Sequence, residues 1–296
     1  MWVKRNYFLE LEAPQRSPAW FEGRKNSATA SKNKVAMGFD GFQTQDEYVL
    51  EIQGKTEKKE VNADMQRGID GEDPLRQNFL KTVAPTASLY EPSLCLGLTV
   101  WDFPYRGRLL SETYGSMFTN PLHPAWFIRN SPDGIMDWNG IQFTLECKFP
   151  ESLYLDLQRE EPEQYWLRSK FPEFLTQEEV REAQANGYPN DHFCLSTKIK
   201  LEHFCQIYGQ MAGTLIPQAI YLVGYLKPEN GLYYQGLQFD NDLWQRKFYP
   251  HLIKFVVEKL IPALSPEDIA KHTKQVKELQ LLTNENDYLT IAWGRK

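Results

Sequence analysis

Residues 131–149 read SPDGIMDWNGIQFTLECKF, and this stretch decides the fold. Two runs rich in β-forming residues flank Asn139-Gly140, and Asn-Gly between such runs is a strong signal for a tight hairpin turn. Residues two apart in a strand share one face, so the side chains of Glu146 and Lys148 project together. Because the turn returns the chain on itself, Asp133, just before the first strand, is predicted to lie beside Glu146.

Two carboxylates and one lysine in this arrangement predict a site for a hard divalent cation. Mg²⁺ prefers oxygen ligands, commonly one or two carboxylates with water and substrate phosphate, and we expect Mn²⁺ to substitute for it. Asp133 and Glu146 are the predicted ligands, with the backbone carbonyl of Cys147 as a third. Such a cation acidifies water and neutralises phosphodiester charge, while Lys148 orients the water or stabilises developing charge. On these residues alone, an ordinary Glu–Lys pair on a surface hairpin is at least as well supported.

The pattern around the hairpin predicts an α/β (α+β) fold with a central mixed β-sheet flanked by helices. Further strands are predicted over residues 93–101, 219–226 and 232–239. Helices are predicted over 19–24, 46–52, 73–81, 201–215, 251–264 and 265–282, with another starting at 29–31. The helix over 73–81 is expected to begin at Asp73 because Pro74 suits a first helical position.

Composition excludes several classes of protein. No stretch approaches the roughly 18 apolar residues of a membrane span, and the N-terminus lacks the apolar segment of a signal peptide, so an intracellular protein without membrane contact is expected. The four cysteines form no CxxC pair, which argues against a zinc ribbon.

The net charge of −6 argues against a simple electrostatic binder of nucleic acid. However, residues 151–191 contain ten acidic and four basic side chains, which accounts for the whole deficit and leaves the rest of the chain neutral. This stretch is predicted to be an acidic insertion, and residues 251–296 a C-terminal helical extension.

Four separated blocks of the sequence resemble, in order, the lambda exonuclease and YqaJ-type viral recombinase family of PD-(D/E)xK nucleases. The blocks are Trp20-x3-Arg24 with Thr29-Ala30-Ser31, Gly68-x3-Glu72, Ser131-Pro132-Asp133-Gly134 with 145–150, and 206–211. Together they span about two thirds of the chain. The resemblance implies a single nuclease domain over 1–296 with a restriction-endonuclease-like core.

The resemblance also implies a role for each matching residue. Metal-binding and catalytic roles fall on Asp133, Glu146, Lys148 and Glu72. Phosphate or DNA contacts fall on Arg24, Ser31, Gln206, Gln210 and His203. A helix N-terminus at Ser31 would favour an anion, and a guanidinium offers a bidentate fork for phosphate.

Alternative roles remain open for several of these residues. Ser31 suits a helix cap, Arg24 suits an ion pair with Glu22, and Pro74 would interrupt a helix that carried Glu72. Gln206 and Gln210 lie one helical turn apart, so either suits a phosphate contact.

The fourth block departs from the family pattern. His203 stands where the family usually has a tyrosine, and Tyr208 stands where it has a second glutamine. A packed role for His203 is therefore as well supported as a substrate contact.

The implied function is Mg²⁺-dependent 5′→3′ exonuclease digestion of double-stranded DNA in recombination or replication. The alternatives are a DNA or RNA endonuclease of the alkaline-nuclease type and an inactive nucleic-acid-binding protein on the same fold.

Family members commonly form homo-oligomeric rings and act with a single-strand annealing protein. A viral origin would place the chain in the host cytoplasm or nucleus. The acidic insertion is expected to point away from the duplex, gate the site or meet a protein partner.

Overall fold

The computed structural model describes residues 1–39, 41–56, 62–149, 157, 161–225 and 231–294. The strands are β1 (Trp2–Lys4), β2 (Phe8–Leu11), β3 (Ala28–Thr29), β4 (Ser88–Tyr90), β5 (Leu94–Gly97), β6 (Thr99–Trp101), β7 (Pro104–Tyr105), β8 (Arg108–Leu109), β9 (Ile128–Arg129), β10 (Gly134–Trp138), β11 (Ile141–Lys148), β12 (Glu163–Arg168), β13 (His192–Thr197), β14 (Gln218–Tyr225), β15 (Gly231–Gln238) and β16 (Leu289–Ile291). The helices are α1 (Pro18–Arg24), α2 (Asn33–Ala36), α3 (Gln45–Ile52), α4 (Ala63–Thr82), α5 (Leu110–Tyr114), α6 (Gln177–Ala185), α7 (Leu201–Thr214), α8 (Asn241–Leu243), α9 (Tyr249–Phe255), α10 (Ile261–Ala263) and α11 (Pro266–Gln280).

A five-stranded mixed sheet lies at the centre, in the order β15-β14-β11-β10-β4. β10 and β11 are antiparallel, with Gly134 opposite Leu145, whereas β11 and β14 are parallel, with Glu146 opposite Tyr221. A parallel pair needs a crossover, and the chain makes it through β12, α6, β13 and α7. The predicted mixed sheet flanked by helices is therefore confirmed.

The hairpin between β10 and β11 forms as predicted, because both turn residues adopt the backbone that this turn demands. Asn139 and Gly140 have φ of 56° and 80°, and a two-residue turn with both φ values positive matches the twist of the flanking strands. Asp137 Oδ1 accepts a hydrogen bond of 3.0 Å from the Gly140 amide, which closes the turn.

The two faces of the central sheet are covered by different helices. Leu145 and Cys147 pack in one cluster with Leu75 and Phe79 of α4. Side chains alternate along a strand, so Glu146 and Lys148 are directed to the other face, where α7 packs. The strand period therefore places the two ionisable residues under α7.

The predicted start of a helix at Asp73 is wrong, since α4 already begins at Ala63 and contains Pro74 in its interior. The Asn62 side chain caps it by accepting a hydrogen bond of 2.8 Å from the Met65 amide. A proline inside a helix removes one backbone hydrogen bond, and burial of Leu75 and Phe79 against the sheet offsets that loss. The helix consequently carries Glu72 without interruption.

Three other elements differ from the prediction in detail. Residues 29–31 do not start a long helix: β3 leads into a 3₁₀ turn over Ala30–Lys32 and then the short α2. The single strand predicted over 93–101 is two strands, β5 and β6. The helix predicted over 251–264 begins earlier, because π-helical turns over Trp244–Phe248 and Val256–Leu260 join α8, α9 and α10.

β12 of the predicted acidic insertion pairs antiparallel with β13, which directly follows the insertion, and α6 lies between these two strands in the chain. Residues 150–156 and 158–160, which carry part of the acidic charge and the last proline of the third block, lie outside the described residues. No helix in the described ranges is long and apolar enough to cross a membrane.

Glycines let α7 approach the strand and loop that precede the hairpin. A Cβ on Gly97 of β5 would come within 2.8 Å of the Gly213 carbonyl oxygen, and one on Gly213 within 2.1 Å of Asn130 Nδ2. Real Cβ atoms do not tolerate such distances, so both positions require glycine at this spacing. The close contact fixes α7 against the loop that carries Ser131 and Asp133.

Candidate active site

Asp133 directly precedes β10 and is held by three hydrogen bonds. Its amide donates to the Leu145 carbonyl (3.0 Å), and its carbonyl accepts from Arg76 Nη1 (2.7 Å). Its carboxylate Oδ2 accepts a hydrogen bond of 2.7 Å from the Cys147 amide. The hairpin thus brings Asp133 against the strand that carries Glu146, and only one Asp133 carboxylate oxygen is committed to this bond.

Glu146 is completely buried on β11, with 0% of its surface exposed. One carboxylate oxygen contacts Lys148 Nζ, and the other accepts a hydrogen bond of 2.7 Å from Gln210 Nε2. Burial and the repulsion of Asp133 raise the pKa of Glu146 to about 7, against the opposing effects of Lys148 and Gln210. Burial also raises the pKa of Asp133, although Lys148 and the Cys147 amide counteract it.

Lys148 lies between these carboxylates, with 23% of its side chain exposed. Burial disfavours its charge, but Glu146 and Asp133 together outweigh that effect and raise its pKa above the usual value. Lys148 therefore remains an ammonium ion. It suits hydrogen-bond donation and charge stabilisation rather than proton abstraction.

Glu72 reaches the same region from α4, where it forms an ion pair of 2.9 Å with Arg16 Nη2. Burial and then the charge of Asp133 raise the pKa of Glu72, while Arg16 lowers it. The third carboxylate is thus electrostatically coupled to Asp133.

A cavity of about 460 Å³ joins these groups to the predicted phosphate-binding residues. Its lining includes Glu72, Asp133, Glu146, Lys148, Arg24, Ser31 and Gln206. The lining thus combines three carboxylates and an ammonium group with a guanidinium, a hydroxyl and an amide. That combination suits a phosphodiester bridged to a cation.

Arg24 is positioned by an aromatic ring and a hydroxyl. Its Cζ lies 4.0 Å from the Trp20 ring centroid, and its Nη2 donates to Thr29 Oγ1 (3.2 Å). These contacts replace the suggested ion pair with Glu22. Burial lowers the pKa of Arg24, and a partly desolvated guanidinium gains most from an anionic partner.

Ser31 is exposed at the cavity, and its Oγ lies 3.3 Å from Thr29 Oγ1. The 3₁₀ turn that contains it has no side-chain cap from Thr29, and Ser31 lies inside that turn rather than at the start of a helix. The expected helix N-terminus at Ser31 is thus absent here, and its hydroxyl rather than a helix dipole faces the cavity.

The structure does not bring Gln210 and His203 to the described lining of this cavity. Gln210 is fully buried and donates to Glu146 and, at 3.3 Å, to the Ser131 carbonyl, so it supports the carboxylate from beneath. His203 Nδ1 lies 2.7 Å from the Tyr221 hydroxyl on β14, and burial lowers its pKa well below the usual value. Both side chains point inward, which replaces the predicted phosphate contacts with packed, hydrogen-bonded roles.

Two arginines of the site are not apparent from the sequence motifs. Arg16 lines the cavity and has a φ of 65°, a left-handed backbone that residues other than glycine rarely adopt. Arg76 is buried and binds the Asp133 carbonyl. No motif marks Arg16, whereas Arg76 was detectable one turn beyond Glu72 on a helix that continues through Pro74.

The donor set fits a divalent cation. Asp133 and Glu146 are neighbouring carboxylates, and burial raises the pKa of both despite the charge of Lys148. In the part of the chain that the structure describes, no three His, Cys, Asp or Glu side chains form a metal-binding group by themselves. Two carboxylates suit a cation that retains several water or substrate oxygen ligands, with the Cys147 carbonyl still a predicted third ligand.

Together with its fold, the family to which the chain belongs defines it as a nuclease. The sequence model of the YqaJ-like viral recombinase domain matches residues 19–215, about two thirds of the chain, and the chain belongs to this family. No match was found among the curated proteins.

Solved structures that are similar to this chain share little sequence identity with it. The alkaline exonuclease LHK-Exo from Laribacter hongkongensis is 18% identical, with a TM-score of 0.49 over 89% of this chain and 100% of that chain. Its complex with dAMP is 19% identical at the same TM-score and coverage. A SOX–DNA complex is 10% identical, with a TM-score of 0.42 over 87% of this chain and 69% of that chain.

Replacing Gln210 by leucine is expected to lower cleavage activity and metal affinity about 10- to 100-fold, because groups that orient metal ligands have effects of that size. The matched control is Gln206→Ala, one turn earlier on α7. That change should weaken nucleic-acid binding and leave metal affinity unaltered. Calorimetric titration with Mn²⁺ and a cleavage assay measure both quantities. Wild-type metal affinity in Gln210→Leu would contradict the supporting role.

Proposed function

We propose that the chain is a Mg²⁺-dependent exonuclease that digests one strand of double-stranded DNA in the 5′→3′ direction. The observation that carries this proposal is one cavity that unites Asp133, Glu146 and Lys148 with Arg24, Ser31 and Gln206. Membership of the viral recombinase family supports nuclease chemistry. We infer the double-stranded DNA substrate and the 5′→3′ direction of digestion from the family resemblance.

Asp133 and Glu146 would hold Mg²⁺, which supplies Lewis-acid activation of water and of the phosphoryl oxygen when it is bound. Gln210 keeps the Glu146 carboxylate in one orientation, and the Cys147 amide does the same for Asp133. Lys148, which stays protonated, stabilises negative charge as it develops on the phosphate. Arg24, Ser31 and Gln206, which line the same cavity, orient the phosphodiester.

The decisive test is cleavage of end-labelled linear duplexes that carry a 5′-phosphate or a 5′-hydroxyl, alongside closed circular DNA and RNA. We expect Mg²⁺-dependent nucleotide release from 5′ ends of the linear duplex, with Mn²⁺ able to substitute, and an intact circle. Cleavage of the closed circle would support the endonuclease alternative, and preferential RNA cleavage the RNA substrate. Absence of cleavage on every substrate would leave the inactive nucleic-acid-binding alternative.

The organisation of the protein is also a proposal. We expect residues 1–296 to act as one nuclease domain, with the acidic insertion at about 151–191 and the helical extension at about 251–296. A homo-oligomeric ring and a single-strand annealing protein are the expected partners, and a viral origin would place them in the host cytoplasm or nucleus. Light scattering of the purified chain distinguishes a ring from a monomer.

A further inference from the structure

A second cavity, of about 290 Å³, lies where the β12–β13 ribbon meets the start of α7. We call this cavity the basic–aromatic cleft. Its lining includes Lys34, Tyr165, Trp166, Arg168, Lys200 and Glu202. Its volume is at the lower end for ligand pockets, about 300–1,000 Å³. A site of this size fits one or two planar groups and is too small for a duplex.

The basic–aromatic cleft adjoins the phosphate side of the active site. On α7, Glu202 lines the cleft and Gln206, one turn later, lines the active-site cavity. Lys34 of α2 likewise follows Ser31 by three residues. His203 lies between the two cavities: after burial, the charges of Lys148 and then Lys200 contribute to lowering its pKa. A DNA strand that is bound at Gln206 and Ser31 and continues past Lys34 and Glu202 would enter the cleft.

The charge of the cleft favours an anion, with three basic side chains against one acid. Lys34 lies 3.6 Å from Glu202, whose side chain is half exposed, and Arg168 lies 2.9 Å from Asp191 while remaining 60% exposed. Exposed ion pairs contribute little to stability, so phosphates can replace these carboxylates at small cost. Lysine and arginine contacts to phosphate are the main source of nucleic-acid affinity.

Aromatic side chains provide the other half of a single-strand binding site. Tyr165 and Trp166 line the cleft, and Tyr188, from outside its lining, stacks on one face of the Trp166 ring, with ring centroids 4.8 Å apart and planes at 20°. Unpaired bases stack on such rings regardless of sequence, whereas paired bases in a duplex present no free face. We propose that the basic–aromatic cleft binds a single-stranded segment of the DNA next to the scissile phosphate. This inference rests on the proposed function for its substrate.

Binding measured without cleavage tests the inference. Every protein carries the Glu146→Gln change, and fluorescence anisotropy follows labelled oligo-dT, a duplex with a single-stranded extension and a blunt duplex. Trp166→Ala is expected to weaken binding of oligo-dT and of the extended duplex about tenfold, because stacking contributes that much per base. Affinity for the blunt duplex should be unchanged. Trp293→Ala, at a half-exposed tryptophan far along the chain, is the matched control.

Lys200→Glu provides a second variant that does not depend on the packing of Trp166, and circular dichroism verifies that both are folded. It should weaken single-strand binding and reduce its salt dependence. Unchanged affinity for oligo-dT in both variants, or equal losses of affinity for oligo-dT and for blunt duplex, would contradict single-strand binding by the cleft. If the chain does not cleave DNA but Trp166→Ala still loses oligo-dT binding, the proposed function is wrong, whereas single-strand binding by the cleft is supported.

Discussion

Replacing Asp133 or Glu146 by its amide is expected to lower Mg²⁺-dependent cleavage at least about 10³-fold, while the protein remains folded. The amide keeps the shape and the hydrogen-bonding oxygen but removes the charge that holds the cation. Because burial disfavours the charge of both carboxylates, and Asp133 also repels Glu146, their neutralisation should not reduce the free energy of unfolding of the metal-free protein.

The pH dependence of stability gives an independent check on Glu146. Its pKa rises from an ordinary 4.5 to about 7 on folding, so the folded state binds the proton more tightly. Stability of the metal-free protein should therefore fall as pH rises from about 4.5 to about 7, and this component should disappear in Glu146→Gln. Thermal unfolding in EDTA across that window measures it.

Asp137→Asn is the matched control for these variants, because Asp137 lies on the same hairpin but is exposed and caps the turn. It should retain wild-type cleavage. Retention of full activity in either Asp133→Asn or Glu146→Gln would show that the metal is held elsewhere.

Replacing Lys148 by methionine is expected to abolish cleavage and also to destabilise the metal-free protein by about 3 kcal/mol, since it leaves buried carboxylate charge without its cationic partner. The charge of Glu146 is the one that Lys148 stabilises most, because the two side chains are in direct contact. The double variant Glu146→Gln/Lys148→Met should regain most of the lost stability yet remain inactive. Urea unfolding of the four proteins in EDTA yields the coupling free energy.

Lys271→Met serves as the comparison, because Lys271 pairs with Glu267 at 2.8 Å on the exposed face of α11. Its loss should change stability by less than about 1 kcal/mol. If the effects of the Glu146 and Lys148 substitutions simply add, the two side chains do not depend on each other, and the assigned charge balance is wrong.

The hairpin and its three ionisable residues were predictable because short-range rules determine them. Asn139-Gly140 selects the turn, and the period of two residues puts Glu146 and Lys148 on one face. The structure adds what those rules cannot supply, namely which helix covers that face. Gln206 and Gln210 share a side of α7, and only the tertiary contact shows that Gln210 is the one buried against Glu146.

Glu72 shows how a local rule can mislead. Pro74 suits a helix start in isolation, but packing of α4 against the sheet overrides that preference and extends the helix back to Ala63. Arg16 was not predictable, because its place beside Glu72 depends on a loop with a positive φ rather than on a repeating pattern.

The long connection between β11 and α7 makes the protein suited to changes in chain length at one place. Both of its ends are fixed, one by the parallel register of β11 with β14 and the other by the close contact of α7 with β5. Doubling a flexible loop costs only about 0.6 kcal/mol in closure entropy. The turns of this connection can therefore be lengthened while Glu146 and Gln210 stay in place, provided that Leu167 and Phe193 of the ribbon keep their places in the main core. These turns are the natural site for engineering a new substrate preference.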